Sequence, residues 1–201
     1  MKYLPTLAAG LLIGAAALQF STAASGQGDG WIKLIDGNYK AADWSEVGKA
    51  NWGLKDGALM ADKLDGKDPS YLVSKDSYKD FMIQAEFWAD DAANSGILLR
   101  CDERAKIDAK ICYEVNIFDK RPDPTYGTGA IVDVAKVDPM PKASGKWNTY
   151  EITAKGSEFT VILNGIKTVD GAKDAKHVKG RIALQYGGGI VRFRKVEIRP
   201  L

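Results

Sequence analysis

Apolar and polar residues alternate along three closely spaced runs of the chain, 81–88, 95–100 and 111–118. Alternation with a period of two predicts β-strands that bury one face. Because successive side chains of a strand point to opposite faces, the apolar positions of each run can line a core while the others face away from it. In the third run the residues that face away are Glu114 and Asn116.

The other apolar runs are short and are separated by turn residues, as in a sheet of many strands. Asn164-Gly165 lies between two such runs and is typical of a tight hairpin turn, in which both central residues take a positive φ. The last run, 190–199, keeps one apolar face only if a bulge lies near Arg194 and Lys195. The pattern predicts an all-β domain, a sandwich or jelly roll of two stacked antiparallel sheets.

The phase of each run also predicts the core. The residues expected between the two sheets are Phe81, Ile83, Phe87, Ile97, Leu99, Val115, Ile117, Tyr150, Ile152, Val161, Leu163, Ile182, Leu184 and Phe193. A set of this size suits one sizeable core, and no change of composition along the chain marks a second domain.

The first residues of the chain have the features of a secretory signal peptide. Lys2 precedes an apolar stretch at 7–18, and small residues follow at 21–24, where a signal peptidase would cut. A membrane anchor is the alternative, but the stretch is shorter than the roughly 20 residues that a spanning helix needs. The mature protein is therefore expected in the periplasm or outside the cell, without attachment to a membrane. We expect three parts: a signal peptide at 1–24, a flexible linker at 25–30 and one domain at 31–201.

Composition argues against one class of partner. The formal net charge is only +2 and no basic run is interleaved with aromatic residues, so we expect no nucleic-acid ligand. The only histidine, His177, lies in a Lys-rich turn, and the residues predict no metal site. They specify no cofactor and leave a role for a divalent cation open. We expect a monomer.

Cys101 and Cys112 flank a predicted loop, and a cysteine pair this close in an exported protein favours a disulfide. Simple alternation opposes the bond. If Arg100 and Glu114 share a face, it places Cys101 on the core face and Cys112 on the opposite one. A bulge or a frayed loop base would be needed to bring the sulfurs together. Both outcomes stay open on the sequence.

The faces that point away from the predicted core carry groups suited to a sugar. Carboxylates, a guanidinium and amides can hydrogen-bond to hydroxyls, and an indole offers a flat surface on which a pyranose can stack. A solvated sheet face with cross-strand ion pairs would show the same pattern, so both interpretations stay open. The residues that phase places on these faces are Gln84, Glu86, Trp88, Arg100, Glu114 and Asn116.

A succession of short motifs runs along nearly the whole predicted domain, from residue 31 to residue 198. The motifs are WIKLIDG at 31–37, DW at 43–44, WGLKDG at 52–57, ANSGILLR at 93–100, YEVN at 113–116, TGAI at 128–131, KWNTY at 146–150, LNG at 163–165, GRIALQ at 180–185 and VRFR at 191–194. In residues and in order, this succession resembles the 3-keto-disaccharide hydrolase family.

The resemblance implies a concanavalin-like jelly roll in which the concave sheet carries the ligand. It also implies a substrate class, glycosides whose sugar has been oxidised at C3. The positions that match the family's polar residues are Asn94, Arg100, Glu114, Asn116 and Gln185. The chain departs from the family at one point, because Gln185 is followed by Tyr186-Gly187 where many members have Asp-His.

The resemblance further implies an exported hydrolase that cleaves 3-keto-glycosides by removal of the C2 proton, elimination of the C1 substituent and addition of water. In this mechanism Glu114 would act as the base, Arg100 would stabilise the enolate and Glu86 would act as the acid. The alternative is a noncatalytic carbohydrate-binding module of the same fold, which could dispense with the carboxylates. The substrate would be bound by Asn94, Asn116, Gln185 and Trp88.

Overall fold

The structure, a computed structural model, describes Met1 and residues 30–102, 107–108 and 110–201. The predicted signal peptide and linker lie outside the described residues, apart from Met1 and Gly30. No helix in the described part of the chain is long and apolar enough to cross a bilayer.

The described residues form thirteen strands, and every pair of neighbouring strands is antiparallel. They contain two single-turn 3₁₀ helices, Ala41–Asp43 and Pro124–Tyr126, and no α-helix. The strands are β1 (Ile32–Ile35), β2 (Trp44–Val47), β3 (Gly53–Lys55), β4 (Ala58–Ala61), β5 (Ser70–Tyr78), β6 (Phe81–Ala89), β7 (Asn94–Cys101), β8 (Tyr113–Ile117), β9 (Trp147–Lys155), β10 (Glu158–Leu163), β11 (Ile166–Lys173), β12 (Gly180–Gly188) and β13 (Val191–Pro200).

The strands are divided between two sheets that pack on each other. The eight-stranded sheet has the order β11-β10-β9-β6-β13-β4-β3, with β1 also paired to β13. The five-stranded sheet has the order β2-β5-β12-β7-β8. In both sheets, consecutive strands lie beside strands from distant parts of the chain, such as β13 beside β6 and β12 beside β5, as in jelly rolls. The prediction of an all-β sandwich of two antiparallel sheets is confirmed.

One apolar cluster fills the space between the sheets and contains every residue that the sequence pattern assigned to the core. Two of its aromatic contacts are close. Phe87 stacks on Tyr150 with ring centroids 4.9 Å apart, and Tyr113 of the five-stranded sheet lies 4.5 Å from Phe159 of the other sheet. Alternation alone therefore predicts correctly which of these apolar side chains line the core.

Two bulges change which side chains share a face. The pairing of β13 shifts between Phe193 and Lys195, which confirms the predicted bulge and keeps Phe193 and Val196 in the core. The second bulge is in β7, where Leu99 and Arg100 together oppose Ile182 of β12. Arg100 takes a φ of 52°, a left-handed conformation that interrupts the alternation.

The bulge in β7 explains how Cys101 and Cys112 can form a disulfide. It turns Leu99 and Arg100 both towards the interior and leaves Cys101 on the outer face, in one apolar cluster with Cys112. The two cysteines are bonded to each other. A bulge at the base of the loop is thus what reconciles the disulfide with the phase of the strands.

Candidate functional site

The outer face of the five-stranded sheet brings several of the predicted residues together. Antiparallel residues that lie directly opposite each other share a face. Tyr71 of β5 pairs with Gln185 of β12, Gln185 pairs with Gly96 of β7, and Gly96 pairs with Asn116 of β8. These four residues form a row across four strands, which we call the amide row.

Glu114 lies in the next row and leans into the amide row. A Cβ atom added at Gly96 would lie 3.1 Å from both Cγ and Oε1 of Glu114, so the Glu114 side chain crosses the backbone at that glycine. The same Cβ would lie 3.1 Å from the carbonyl oxygen of Val115. The missing side chain of Gly96 therefore makes the space that the carboxyl group occupies.

An apolar cluster borders Glu114 on one side. Its residues lie on the outer face of the sheet and include Leu98, Val73 and Ala183, with the disulfide and Ile107 packed on them. Only 4% of Glu114 is exposed. Its carboxyl group therefore has little contact with water.

Burial raises the pKa of Glu114 from 4.5 to about 7. The positive charge of Arg121 and hydrogen bonding with the Gln185 amide lower the pKa, and the negative charge of Asp133 raises it, but burial has the largest effect. A carboxyl group of this kind exchanges a proton near neutral pH, as a general base or acid must.

Two amide oxygens of the row have no hydrogen-bond partner among the described residues. They are Oδ1 of Asn116 and Oε1 of Gln185, and both are buried. The other end of the Asn116 amide is fixed, because its Nδ2 donates to the carbonyl oxygen of Tyr126 at 2.6 Å. A buried acceptor without a donor costs about 1–3 kcal/mol, so both oxygens are suited to a ligand that brings hydroxyl groups.

Tyr71 and Asn94 lie on the same outer face of the five-stranded sheet. Burial raises the pKa of Tyr71, hydrogen bonding with Gln185 lowers it, and the negative charge of Glu114 raises it further. Asn94 lies at the other side of the row, where a Cβ added at Gly187 would approach its Nδ2 to 2.8 Å. The structure thus brings together Asn94, Glu114, Asn116 and Gln185, as predicted, and adds Tyr71.

Arg100 does not belong to this face, and the prediction that it stands beside Glu114 is wrong. Its side chain is fully buried between the sheets, with the guanidinium carbon 5.2 Å from the centre of the Phe159 ring. Its nitrogens donate to the carbonyl oxygens of Lys79 (2.8 Å), Gly156 (2.7 Å) and His177 (3.2 Å) and to the carboxylate of Asp80 (3.3 Å). The bulge in β7 causes the difference.

The prediction that Glu86 and Trp88 lie in the same site as Glu114 is also wrong. Both face away from the core, as their phase indicates, but β6 belongs to the eight-stranded sheet, so they lie on the opposite side of the sandwich. Glu86 forms an ion pair with Arg194, and Arg192 lies 5.1 Å from the centre of the Trp88 ring. Neither side chain can border the amide row.

Sequence reasoning did not single out Tyr71, Gly96, Arg121 or Asp133. Tyr71 lies in β5 and Gly96 in the predicted run 95–100, but alternation does not show which strands are neighbours. Arg121 and Asp133 follow β8 in irregular segments, where apolar and polar residues do not alternate and the direction of a side chain cannot be predicted. Among the described residues, no group of three or more His, Cys, Asp or Glu side chains could hold a metal ion.

Solved structures of carbohydrate-related proteins resemble the fold. A candidate glycosyl hydrolase of Parabacteroides distasonis is 17% identical, with a TM-score of 0.72 over 86% of this chain and 94% of that one. A second candidate glycosyl hydrolase of that organism is 27% identical, with a TM-score of 0.60 over 85% and 99%. The carbohydrate-binding module CBM66 of Bacillus subtilis is 18% identical, with a TM-score of 0.55 over 85% and 95%.

No curated protein matches the sequence. The family described as the 3-keto-alpha-glucoside-1,2-lyase-like domain matches residues 30–199, which is nearly all of the predicted domain. This agrees with the resemblance carried by the short motifs. The chain belongs to the family of 3-keto-alpha-glucoside-1,2-lyase-like domains, and its function is related to carbohydrate.

Proposed function

We propose that the protein is an exported enzyme that cleaves 3-keto-glycosides, with Glu114 as the base. The observation that supports this most is the state of Glu114, whose carboxyl group is almost wholly buried and has a pKa of about 7. It lies beside the amide oxygens of Asn116 and Gln185, which have no partner in the described part of the chain and can accept hydrogen bonds from sugar hydroxyls. The family supplies the substrate class.

The chemistry follows from the substrate. A ketone at C3 acidifies the hydrogen on C2, so a carboxylate can remove that proton. The electron pair then forms the C1–C2 double bond as the C1–O bond breaks, and water adds afterwards to give the free keto-sugar. A base with a pKa near the working pH combines a large ionised fraction with a strong tendency to take the proton.

We assign to Arg121 the stabilising role that the family resemblance implied for Arg100. Its positive charge acts on Glu114 through space. A cation near the base favours the ionised carboxylate and would also stabilise negative charge on the enolate oxygen. The proposed site therefore combines a base, a positive charge that acts on it and acceptors for hydroxyls.

Replacing Glu114 by Gln tests the proposal. The variant keeps the shape of the side chain and one oxygen but removes the base, so kcat/KM for 3-keto-trehalose or 3-keto-sucrose should fall by roughly 10²–10⁴-fold. Glu86→Gln is the matched control, because that carboxylate lies on the other sheet, and it should keep full activity. Released sugar is measured with and without a chelator. Unchanged turnover in Glu114→Gln, or no release by the wild type under either condition, would refute the proposal.

A noncatalytic carbohydrate-binding module is the second candidate. The buried amide oxygens favour it as much as an enzyme, because binding needs only acceptors. Under this alternative Trp88 cannot supply the stacking surface, since it lies on the opposite sheet. Titration calorimetry separates the two, because a binding module would take up the disaccharide without releasing sugar and Glu114→Gln would weaken its affinity only modestly.

A further inference from the structure

The elimination needs a proton donor as well as a base. When the C1–O bond breaks, the leaving oxygen of a sugar or alcohol is a strongly basic alkoxide unless a proton reaches it. The mechanism implied by the family resemblance gave this task to Glu86, which the structure places on the other sheet. The donor therefore has to be sought on the face that carries Glu114.

Tyr71 is the hydroxyl-bearing side chain of the amide row. It lies directly opposite Gln185 in the pairing of β5 with β12. Gln185 lowers the pKa of both Tyr71 and Glu114, as a hydrogen-bonding neighbour of each would. Two strands, β12 and β7, separate the strand of Tyr71 from that of Glu114. Strands are spaced by about 4.8 Å, so the two backbones are about 14 Å apart.

The side chains close most of this distance. Glu114 reaches over Gly96 towards β12, and Tyr71 stands opposite Gln185 on the other side of β12. Gln185 lies between them, and its Oε1 is buried without a hydrogen-bond partner among the described residues. A pyranose ring held by that oxygen would have the base at one edge and the phenol at the other.

The charges around Tyr71 keep its proton in place. Burial raises its pKa above the ordinary 10, and Glu114, Asp108 and Asp68 raise it further by their negative charges. The phenol is therefore neutral at pH 7 and can give its proton to an alkoxide, although it is too weak an acid to lose it to water.

We propose that Tyr71 donates the proton to the leaving oxygen of the glycoside. This inference rests on the proposed function of Glu114. The C2–H bond breaks and its proton passes to Glu114, the electron pair forms the C1–C2 double bond, the C1–O bond breaks, and the leaving oxygen takes the proton of Tyr71. Water then adds to the double bond: its hydroxyl forms the new C1–O bond, Glu114 returns its proton to C2, and the proton that the water loses restores the phenol of Tyr71.

The test compares leaving groups in Tyr71→Phe. With 3-keto-sucrose or 3-keto-trehalose, whose leaving group is a sugar hydroxyl, kcat should fall by roughly 10²–10⁴-fold. With 4-nitrophenyl 3-keto-glucoside, whose leaving phenolate needs no proton, kcat should fall by less than about tenfold. Exchange of the C2 hydrogen with deuterated water, followed by NMR, should persist in Tyr71→Phe and be lost in Glu114→Gln.

Tyr186→Phe is the control. Tyr186 adjoins Gln185 in β12, but its ring packs in the core and its hydroxyl donates to the carbonyl oxygen of Gly189 at 2.8 Å. Its loss should lower thermal stability and affect both substrates equally. An equal loss on both substrates in Tyr71→Phe, or no loss, would overturn the role of Tyr71.

A second measurement does not depend on the variant. In the wild type, the rate should depend only weakly on the leaving-group pKa across a series of aryl and alkyl 3-keto-glucosides, because a donor offsets the basicity of the leaving oxygen. A steep dependence would overturn the donor while leaving Glu114 as the base. A wild type that neither exchanges the C2 hydrogen nor cleaves any of the series would overturn both proposals.

Discussion

A carboxyl group that folding removes from water makes protein stability depend on pH, and Glu114 is such a group. Its pKa is raised from 4.5 to about 7, so between these values the folded protein binds more protons than the unfolded chain. The free energy of unfolding should therefore fall as the pH rises through this window, by up to about 3 kcal/mol. Below about pH 4.5 this contribution is fully present, and above about pH 7 it is lost.

Glu114→Gln should remove this dependence, because an amide does not titrate in the window. Denaturant unfolding at pH 4.5 and pH 8 gives the difference for each protein, and it should be smaller in the variant than in the wild type. Glu86→Gln should behave like the wild type. An identical pH difference in Glu114→Gln would show that the carboxyl group is not buried as described.

At the scale of the element, β7 determines which side chains belong to the site. Its glycine at 96 makes room for Glu114, and its bulge turns Arg100 into the interior. The buried guanidinium joins the turn at Lys79–Asp80, the turn at Gly156 and the segment at His177. Arg100 therefore ties one end of the sandwich together.

Arg100→Ala should lower the free energy of unfolding by about 3–5 kcal/mol, because it leaves several buried carbonyl oxygens and Asp80 without their donor. Arg194→Ala removes a half-exposed ion pair with Glu86 and should cost at most about 1 kcal/mol. Urea unfolding measures both. A small effect of Arg100→Ala on stability, combined with a large loss of substrate affinity in the folded protein, would place Arg100 back in the site.

The same element shows what alternation can and cannot predict. Period two gave the strands, the core side chains and the bulge in β13, since each depends on residues within one strand. It could not assign β6 to the other sheet, because pairing between distant strands leaves no trace in the period. The bulge at Arg100 did leave a sign, since the disulfide between Cys101 and Cys112 was incompatible with regular alternation.

At the scale of the whole molecule, the domain is expected to be preceded by an export signal at 1–24 that is cut off. N-terminal sequencing of protein recovered from outside the cytoplasm should begin near Ser25, because a signal peptidase would cut after Ala24. Leu12→Arg places a charge in the apolar stretch and should keep the protein inside the cell. Recovery of exported protein with Met1 intact would contradict the prediction.

The position of the amide row also determines when the site forms during folding. Its members stand at positions 71, 96, 116 and 185. Gly96 and Asn116 lie on consecutive strands, but Gln185 joins Tyr71 and Gly96 only when β12 has paired with the distant strands β5 and β7. Contacts of such long range form late and slowly, after the loops between them have closed. No hairpin of this chain can hold the row by itself, so ligand binding during refolding would report completion of the five-stranded sheet.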